Sequence, residues 1–588
     1  MSNEAAGVPL TLAEQSSFRQ TGRTDEVARL CQAYAQRWPD AVRSFEYGRS
    51  GEGRPMHAMV VSRTGALSPA EIRRRKIPVL MLQAGIHPGE SDGKDAGFIA
   101  LRELLSGAVG QGLLERLAIL FVPAFNVDGH ERVGRWNRPN QVGPEETGWR
   151  ATSQNINLNR DYTKADAVEM HAMLRLLQQW DPLVCADLHV TDGADFEPDI
   201  SLQVEPIHQG DSTLFASGVR MRDELIAKLA KQGSMPLPFY PDLVEVDNPA
   251  SGFHLTVYSP RFSSGYFPAR NRYTVLVETH SWKDYSTRVR VTRNTILGLA
   301  ELVVAHGAQW LEETQRADAA GKQFGGKEVT LDYAASWREP TKEKASEASG
   351  ANPDVTMIDF RGYAYEREPS KISGELVTVY DPKTPQIWRV PFRKNTTPSL
   401  VVTAPRGGYI VPAGYASEIG AKLQLHDIEF RQLDAVARIE VECFRASHVE
   451  FSSAPFEGRT RANIAGAWQK EHQEIGAGSL FVPIAQARAR LAMVLLEPQA
   501  PDSFAAWGFF NGWFEHKEYV EPYVIEIMAR DLMNANPSLA AEFEHKLEKD
   551  PAFAADPAAR REFFYRRHAA WDARYGLYPI MRVAGMLS

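Results

Sequence analysis

An α/β fold with a largely parallel, mixed sheet flanked by helices is predicted for the first part of this chain, followed by a β-rich accessory domain and a helical C-terminal region. Three observations predict it. Up to about residue 315, short apolar runs alternate with helix-patterned segments. From 357 to about 483, β-prone runs such as GELVTVYD, QIWRVPF, SLVVTAP, ARIEVECF and SLFVPI are separated by Gly and Pro, which suggests a β-sandwich-like domain. Beyond 485 helical patterning returns in ARARLAMVLL, VEPYVIEIMARDLM and AARREFFYRRHAAWDARYG. The domain division is therefore 1–315, 325–485 and 486–588. A chain of 588 residues exceeds what one hydrophobic core usually supports, which agrees with such a division.

The first part divides into elements as follows. Residues 24–38 place apolar side chains at helical spacing and stop at Pro39. RSFEYGR and PMHAMVVS, joined by the turn-rich SGEGR, read as a hairpin. PVLMLQAG at 78–85 is a short apolar run, suited to a strand covered on both faces. The helix pattern DGKDAGFIALRELL follows, then the buried strand LAILFVPAF, a helix from 165, strand LVCADLHV from 183 and a helix near 214–231. Strand YTVLVET from 273 and a long helix from about 284 complete the alternation. The polar stretch PTKEKASEASGANPDV at 340–355 reads as a linker or exposed loop, and no internal repeat is found.

Bulk properties narrow the function. Hydrophobic residues make up 44% and charged residues 24%, as expected of a folded globular chain. The net charge of −8 argues against a nucleic-acid surface, which needs a basic face. Cys31, Cys185 and Cys443 are too few and too scattered for a disulfide framework or a cysteine zinc site, and Cys185 in its apolar run is expected in the core. No run approaches 18 apolar residues, so no membrane span is expected. With Met1 as the natural start the expected location is cytoplasmic; for a chain trimmed to a mature form it is periplasmic or secreted.

Chemistry concentrates at strand ends, where open α/β sheets place their sites. His87 and Glu90 lie on the turn HPGE after the strand at 78–85, close enough in sequence to share one cation of the Zn²⁺ type. His189 ends the strand from 183 and offers a third ligand, leaving the open position of a catalytic zinc. Asp187, two residues earlier on the same strand, has the same side-chain direction and could brace that shell. Glu278 follows an apolar run, a costly place for a carboxylate without a role, and is the candidate general base. Asn126, Asp128 and Gly129 read as a tight structural turn.

The ordered set His-x-x-Glu, Asn-x-Asp-Gly, Trp-Arg, Asn-Arg, a lone His and a late Glu resembles the zinc metallocarboxypeptidases of the carboxypeptidase A superfamily (peptidase M14-like), over roughly residues 40–310. The resemblance implies that fold and a zinc-dependent carboxypeptidase activity. It implies His87, Glu90 and His189 as zinc ligands, Glu278 as base and proton shuttle, and Arg150 of Trp149-Arg150 as the group polarising the scissile carbonyl. It assigns Asn159 and Arg160 to the substrate's terminal carboxylate. The chain departs from the family at Asn157, where an acidic residue often orients a histidine ligand. Either Tyr258 or Tyr266 matches the family's mobile tyrosine, and Arg270 and His280 are expected beside the pocket.

Two other functions fit the sequence alone. One is a same-fold amidohydrolase acting on N-acyl amino acids or cell-wall peptides. The other is a non-catalytic peptide-binding protein, disfavoured by the intact water-activating carboxylate. The expected partner is thus a peptide or acyl-amino-acid substrate with a free carboxylate; the sequence does not set an oligomeric state.

Overall fold

The computed structural model describes residues 7–335 and 355–585, so all but the last residue of the expected 340–355 linker lies outside the described residues. In chain order, strands β1 (Val42–Arg49), β2 (Pro55–Val61), β3 (Val79–Ala84), β4 (Ala118–Val122), β5 (Val184–Val190), β6 (Ile200–Glu205) and β7 (Pro236–Leu237) precede two short strands. These are β8 (Asp242–Leu243) and β9 (Phe253–His254), and β10 (Tyr273–Thr279) follows them. The central sheet has the order β1-β2-β4-β3-β5-β10-β6-β7.

Its middle is parallel, β4 with β3, β3 with β5 and β5 with β10. β1–β2, β2–β4 and β10–β6 are antiparallel, so the sheet is mixed. Every residue of β3, β4 and β5 is buried, which is why these strands read as largely apolar runs. β6 was not anticipated: ISLQVE carries a weak, partly polar pattern, and its place comes from pairing with β10.

Helix Asp92–Ser106 packs on helix Tyr285–Gly321 and on the sheet. Gly93 permits the close approach, because a Cβ there would lie 2.6 Å from Cβ of Leu188. The parallel register sets Glu278 beside His189 and Gln83 beside Asp187. Consequently the carboxyl ends of β3, β5 and β10 form one ledge.

The later part contains β11 (Glu328–Ala335), β12 (Val355–Pro369), β13 (Leu376–Arg393), β14 (Thr396–Thr403), β15 (Gly408–Val411), β16 (Arg431–Gln432), β17 (Ala437–Phe451), β18 (Ala462–Ile475), β19 (Leu480–Pro483) and β20 (Met581–Val583). These do not make the expected sandwich. They form a two-stranded sheet, a four-stranded sheet β12-β13-β9-β8 and a six-stranded sheet β16-β19-β15-β20-β17-β18. The physical reason lies in the β12–β13 hairpin, whose buried Phe360, Trp388 and Val390 share a small core with Phe196, Phe239, Phe253 and Leu255 of the first part. The hairpin thus buries its apolar side against the neighbouring α/β unit rather than against a second sheet of its own. The C-terminal stretch is mainly helical, at Ala489–Leu496, Pro522–Ala535, Pro537–Lys549, Pro551–Ala555 and Pro557–Tyr565, but the last helix stops at Tyr565, short of the expected AARREFFYRRHAAWDARYG, and β20 joins the six-stranded sheet. All three cysteines are buried.

His426, which caps helix Ala413–Leu425, ties the two parts together. Its Nε2–H donates to the carbonyl of Thr163 at 3.0 Å and its Nδ1 accepts from the Tyr266 hydroxyl at 2.9 Å, so the ring is satisfied when neutral. Burial, with a smaller push from Arg270 and Lys422, lowers its pKa from 6.5 to about 3. The neutral ring's advantage is complete above pH 6.5 and is lost as the pH falls towards the folded value. At pH 5 the loss is about 2 kcal/mol, from about 1.4 kcal/mol per unit below 6.5. The expected result is that unfolding free energy drops between pH 7 and 5 by about that much more in wild type than in His426→Gln, measured by denaturant titration at both pH values. Equal drops in the two proteins would refute it.

Candidate active site

The side chains predicted from sequence converge on the ledge. His87 Nδ1 lies 3.0 Å from Oε1 of Glu90, and His189 Nδ1 lies 3.0 Å from Oε2 of the same carboxylate. All three residues are buried, and one ligand atom from each lies within 4.8 Å of the others. Two imidazole nitrogens beside one carboxylate form a donor set suited to Zn²⁺.

The outward ring nitrogens are held from behind. His87 Nε2 meets Oδ1 of Asn157 at 3.2 Å, so the amide occupies the bracing position where the family often has an acid. His189 Nε2 lies 3.0 Å from Oδ2 of Asp187. Asp187 is itself buried, accepting from Gln83 Nε2 at 2.7 Å and from the Ser263 hydroxyl. The brace expected from its place on the strand is therefore present.

The turn at Asn126 is structural, as anticipated. The Asn126 side chain accepts from Gly129 N at 3.0 Å, and Asp128 accepts from Ser50, from the Glu52 backbone N–H and from Arg54, which fastens the β1–β2 hairpin. Gly129 matters more directly. A Cβ there would sit 2.5 Å from the carbonyl of Trp149, whose N–H donates to Gly129 O at 2.8 Å. Only glycine lets the Trp149-Arg150 segment lie that close. Arg150 Nη1 then stands 3.6 Å from Oε1 of Glu90, with the side chain 39% exposed to the cleft.

A cleft of about 300 Å³ joins these groups. His87, Glu90, His189, Arg150, Asn159, Arg160, Tyr258 and Glu278 all line it. Arg160 lies over the ring of Phe262 at 4.1 Å and, among the described residues, has no ion pair. Burial, with repulsion from Arg150 and Arg261, lowers its pKa to about 10, which leaves it cationic at neutral pH. Glu278 is half-buried, and its Oε2 has no hydrogen-bond partner among the described residues. Burial, reinforced by the charges of Glu90 and Asp192, raises its pKa to about 8, against the pull of His189. A larger surface cleft of about 1130 Å³ runs between residues 12–29 and 135–146 and holds none of the three metal-capable residues.

The structure separates the two tyrosines. Tyr258 lines the cleft and its hydroxyl donates to Asp242 at 3.3 Å. Tyr266 is fully buried against His426 and is a packing residue. Arg270 and His280, expected beside the pocket, do not line it. Arg270 is buried near Tyr266 and His426, while His280 stacks on Phe196 at 3.9 Å. Both lie close in sequence to Glu278, but their side chains pack elsewhere.

Three charged residues in or beside the cleft lie outside the sequence expectations. Arg138 Nη1 lies 3.0 Å from Oε1 of Glu90, while Asp192 and Asp242 line the cleft. Arg138 stands between two recognised motifs, which is the one signal that could have drawn attention to it.

Residues 27–288 match the family model described as zinc carboxypeptidase. This segment is a zinc carboxypeptidase domain. The chain is also similar to carboxypeptidase 2 of Trichophyton equinum, at 23% identity over 482 residues, covering 78% of this chain and 79% of the relative. Carboxypeptidase 2 of Trichophyton rubrum gives 23% over 479 residues with the same coverage. Among solved structures, carboxypeptidase A from Helicoverpa armigera superposes with a TM-score of 0.36 at 15% identity, over 53% of this chain and 79% of that one. The carboxypeptidase domain makes the protein a hydrolase of peptide bonds, and its cofactor is Zn²⁺, which the His87, Glu90 and His189 set fits. No helix among the described residues is long and apolar enough to cross a membrane.

Proposed function

We propose that this protein is a zinc metallocarboxypeptidase that removes single residues from the free C-terminus of peptides, with residues 1–315 as its catalytic domain and 325–485 and 486–588 as accessory regions. One observation carries the reading. A metal-capable triad, a carboxylate with an unpartnered buried oxygen and an arginine without an acid partner share one small cleft.

Each side chain has work suited to its place. His87, Glu90 and His189 hold the Zn²⁺, which when bound supplies Lewis acidity towards the scissile carbonyl and acidifies a water molecule. Glu278 takes the proton of the attacking water and delivers it to the departing amine nitrogen. The Arg150 guanidinium faces the carbonyl oxygen as it becomes an oxyanion, and a well-placed donor of this kind lowers the barrier by about 3 kcal/mol. Asn159 and Arg160 take the terminal carboxylate, where the planar guanidinium can form two parallel hydrogen bonds. Tyr258, which lines the cleft, is the tyrosine placed to contact the bound residue.

Two further acids that line the cleft, Asp192 and Asp242, support a preference among C-terminal residues. Asp242 accepts from the hydroxyls of Thr256 and Tyr258, and Tyr240 donates to Asp192 at 3.4 Å. Neither acid has an ion pair among the described residues, although the cleft also holds Glu278. An ammonium or guanidinium side chain would complement them, whereas a carboxylate would be repelled. A mass-spectrometric product screen over peptides differing in the last residue, N-acyl amino acids and muropeptides tests both points. Loss of one C-terminal residue is expected, with kcat/KM for Lys or Arg at least about tenfold above that for Glu. Turnover confined to acyl amino acids or muropeptides would favour the amidohydrolase reading, and equal rates for Lys and Glu would remove the preference.

A further inference from the structure

The turn that joins β17 to β18 reaches back from the accessory region to the loop carrying Asn157, Asn159 and Arg160. At its tip Phe456 and Arg459 pair with each other, leaving Glu457 and Gly458 as the two corner residues. Their φ angles of 49° and 79° are left-handed, a conformation that suits Gly458 and is uncommon for Glu457. The tip is fastened on both sides. Arg459 makes a two-pronged ion pair with Asp166, Nε to Oδ2 at 2.7 Å and Nη2 to Oδ1 at 2.8 Å, and Phe456 stacks on Trp507 at 6.0 Å. So held, Glu457 Oε2 accepts the backbone N–H of Asn157 at 3.0 Å, across 300 residues of sequence.

Asn157 is a junction. Its Oδ1 meets His87 Nε2 at 3.2 Å and also accepts from the backbone N–H of Asn159 at 3.0 Å. The metal-capable histidine and the proposed carboxylate clamp therefore hang from one amide side chain, whose own backbone is held by Glu457. Where the family's acid would brace the histidine with a full charge, this chain has a neutral amide that gives less orientation by itself. A carboxylate on its peptide N–H is a strong, directional substitute.

We propose that Glu457 is a positioning residue for the active site, through which the accessory region holds Asn157 and thereby both His87 and the Asn159-Arg160 clamp. The inference rests on the zinc carboxypeptidase reading of the same cleft. It also accounts for the residue choice: a glutamate is kept at a corner where glycine would be less strained, because the side chain has a partner.

That conformational detail supplies the test. Glu457→Gly deletes the acceptor while easing the backbone, so its Tm should be no lower than that of wild type. Glu457→Gln keeps a carbonyl oxygen that can accept the same N–H. In the zinc-loaded full chain, Glu457→Gly should lose zinc to a chelator about tenfold faster than wild type, as loss of a ligand's supporting partner commonly does. It should also show a several-fold higher KM for a free-acid peptide, with Glu457→Gln close to wild type in both. Glu440→Ala, at an exposed pair with Lys470 on the same hairpin, serves as the control. Zinc loss and KM within twofold of wild type in Glu457→Gly would overturn the proposal, as would a Glu457→Gln protein as impaired as Glu457→Gly. Absence of C-terminal release by wild type would instead count against the carboxypeptidase reading, while the chelator experiment would still report on Glu457.

Discussion

Glu278→Gln is expected to bind zinc and peptide as wild type does while losing about 10²–10⁴-fold in kcat. The argument starts from its position. β10 places Glu278 beside His189 in register, and the apolar residues before it hold it half-buried in the cleft. Its Oε2 has no partner among the described residues, so the free oxygen is available for a proton. Glutamine has nearly the same shape, which preserves packing, but its amide cannot accept and then release that proton. Removing a group that acts only along the reaction path lowers kcat with KM little changed. Zinc content by metal analysis and binding of a slowly cleaved peptide by calorimetry should match wild type. Near-normal kcat with full zinc occupancy would place the base elsewhere.

Arg160→Ala is expected to cost about 10²-fold or more in kcat/KM on a free-acid peptide, and little further on the C-terminal amide of that peptide. The guanidinium lies over Phe262 without an acid partner among the described residues, so its charge is available to an incoming anion. Amidation removes that anion from the substrate, and the substitution removes its counter-charge from the enzyme. If both act on one contact, the two losses are strongly non-additive in the double cycle. Because Arg160 also packs on Phe262, thermal unfolding of the variant should be measured alongside, to separate lost packing from lost recognition. Additive losses, or an amide cleaved as fast as the acid by wild type, would show that the terminal carboxylate is not read here and would favour a broader amidohydrolase.

The sequence by itself determined the α/β alternation of the first part and pointed to the residues that the fold gathers in one cleft. Its signal was local. β3, β4 and β5 are buried on both faces, so their apolar runs stand out, and His87, Glu90, His189 and Glu278 sit where such runs end. The same locality explains why the helices of the C-terminal region were legible from periodicity.

Only the tertiary structure decided the rest. β6 lacks a distinctive pattern and owes its place to pairing with β10. The β12–β13 hairpin carries the alternation of a sandwich strand, but its aromatic face found a partner in the first part of the chain, across the boundary drawn from sequence. Tyr258 and Tyr266 are eight residues apart and equally eligible by spacing; the fold turned one into the cleft and the other onto His426. Arg138 on Glu90, Asp242 on Tyr258 and Glu457 on Asn157 are contacts between segments separated along the chain, the last by 300 residues. Such contacts leave no periodicity and no motif, because the side chains that meet are selected by how the strands pair and the loops close rather than by their sequence neighbours.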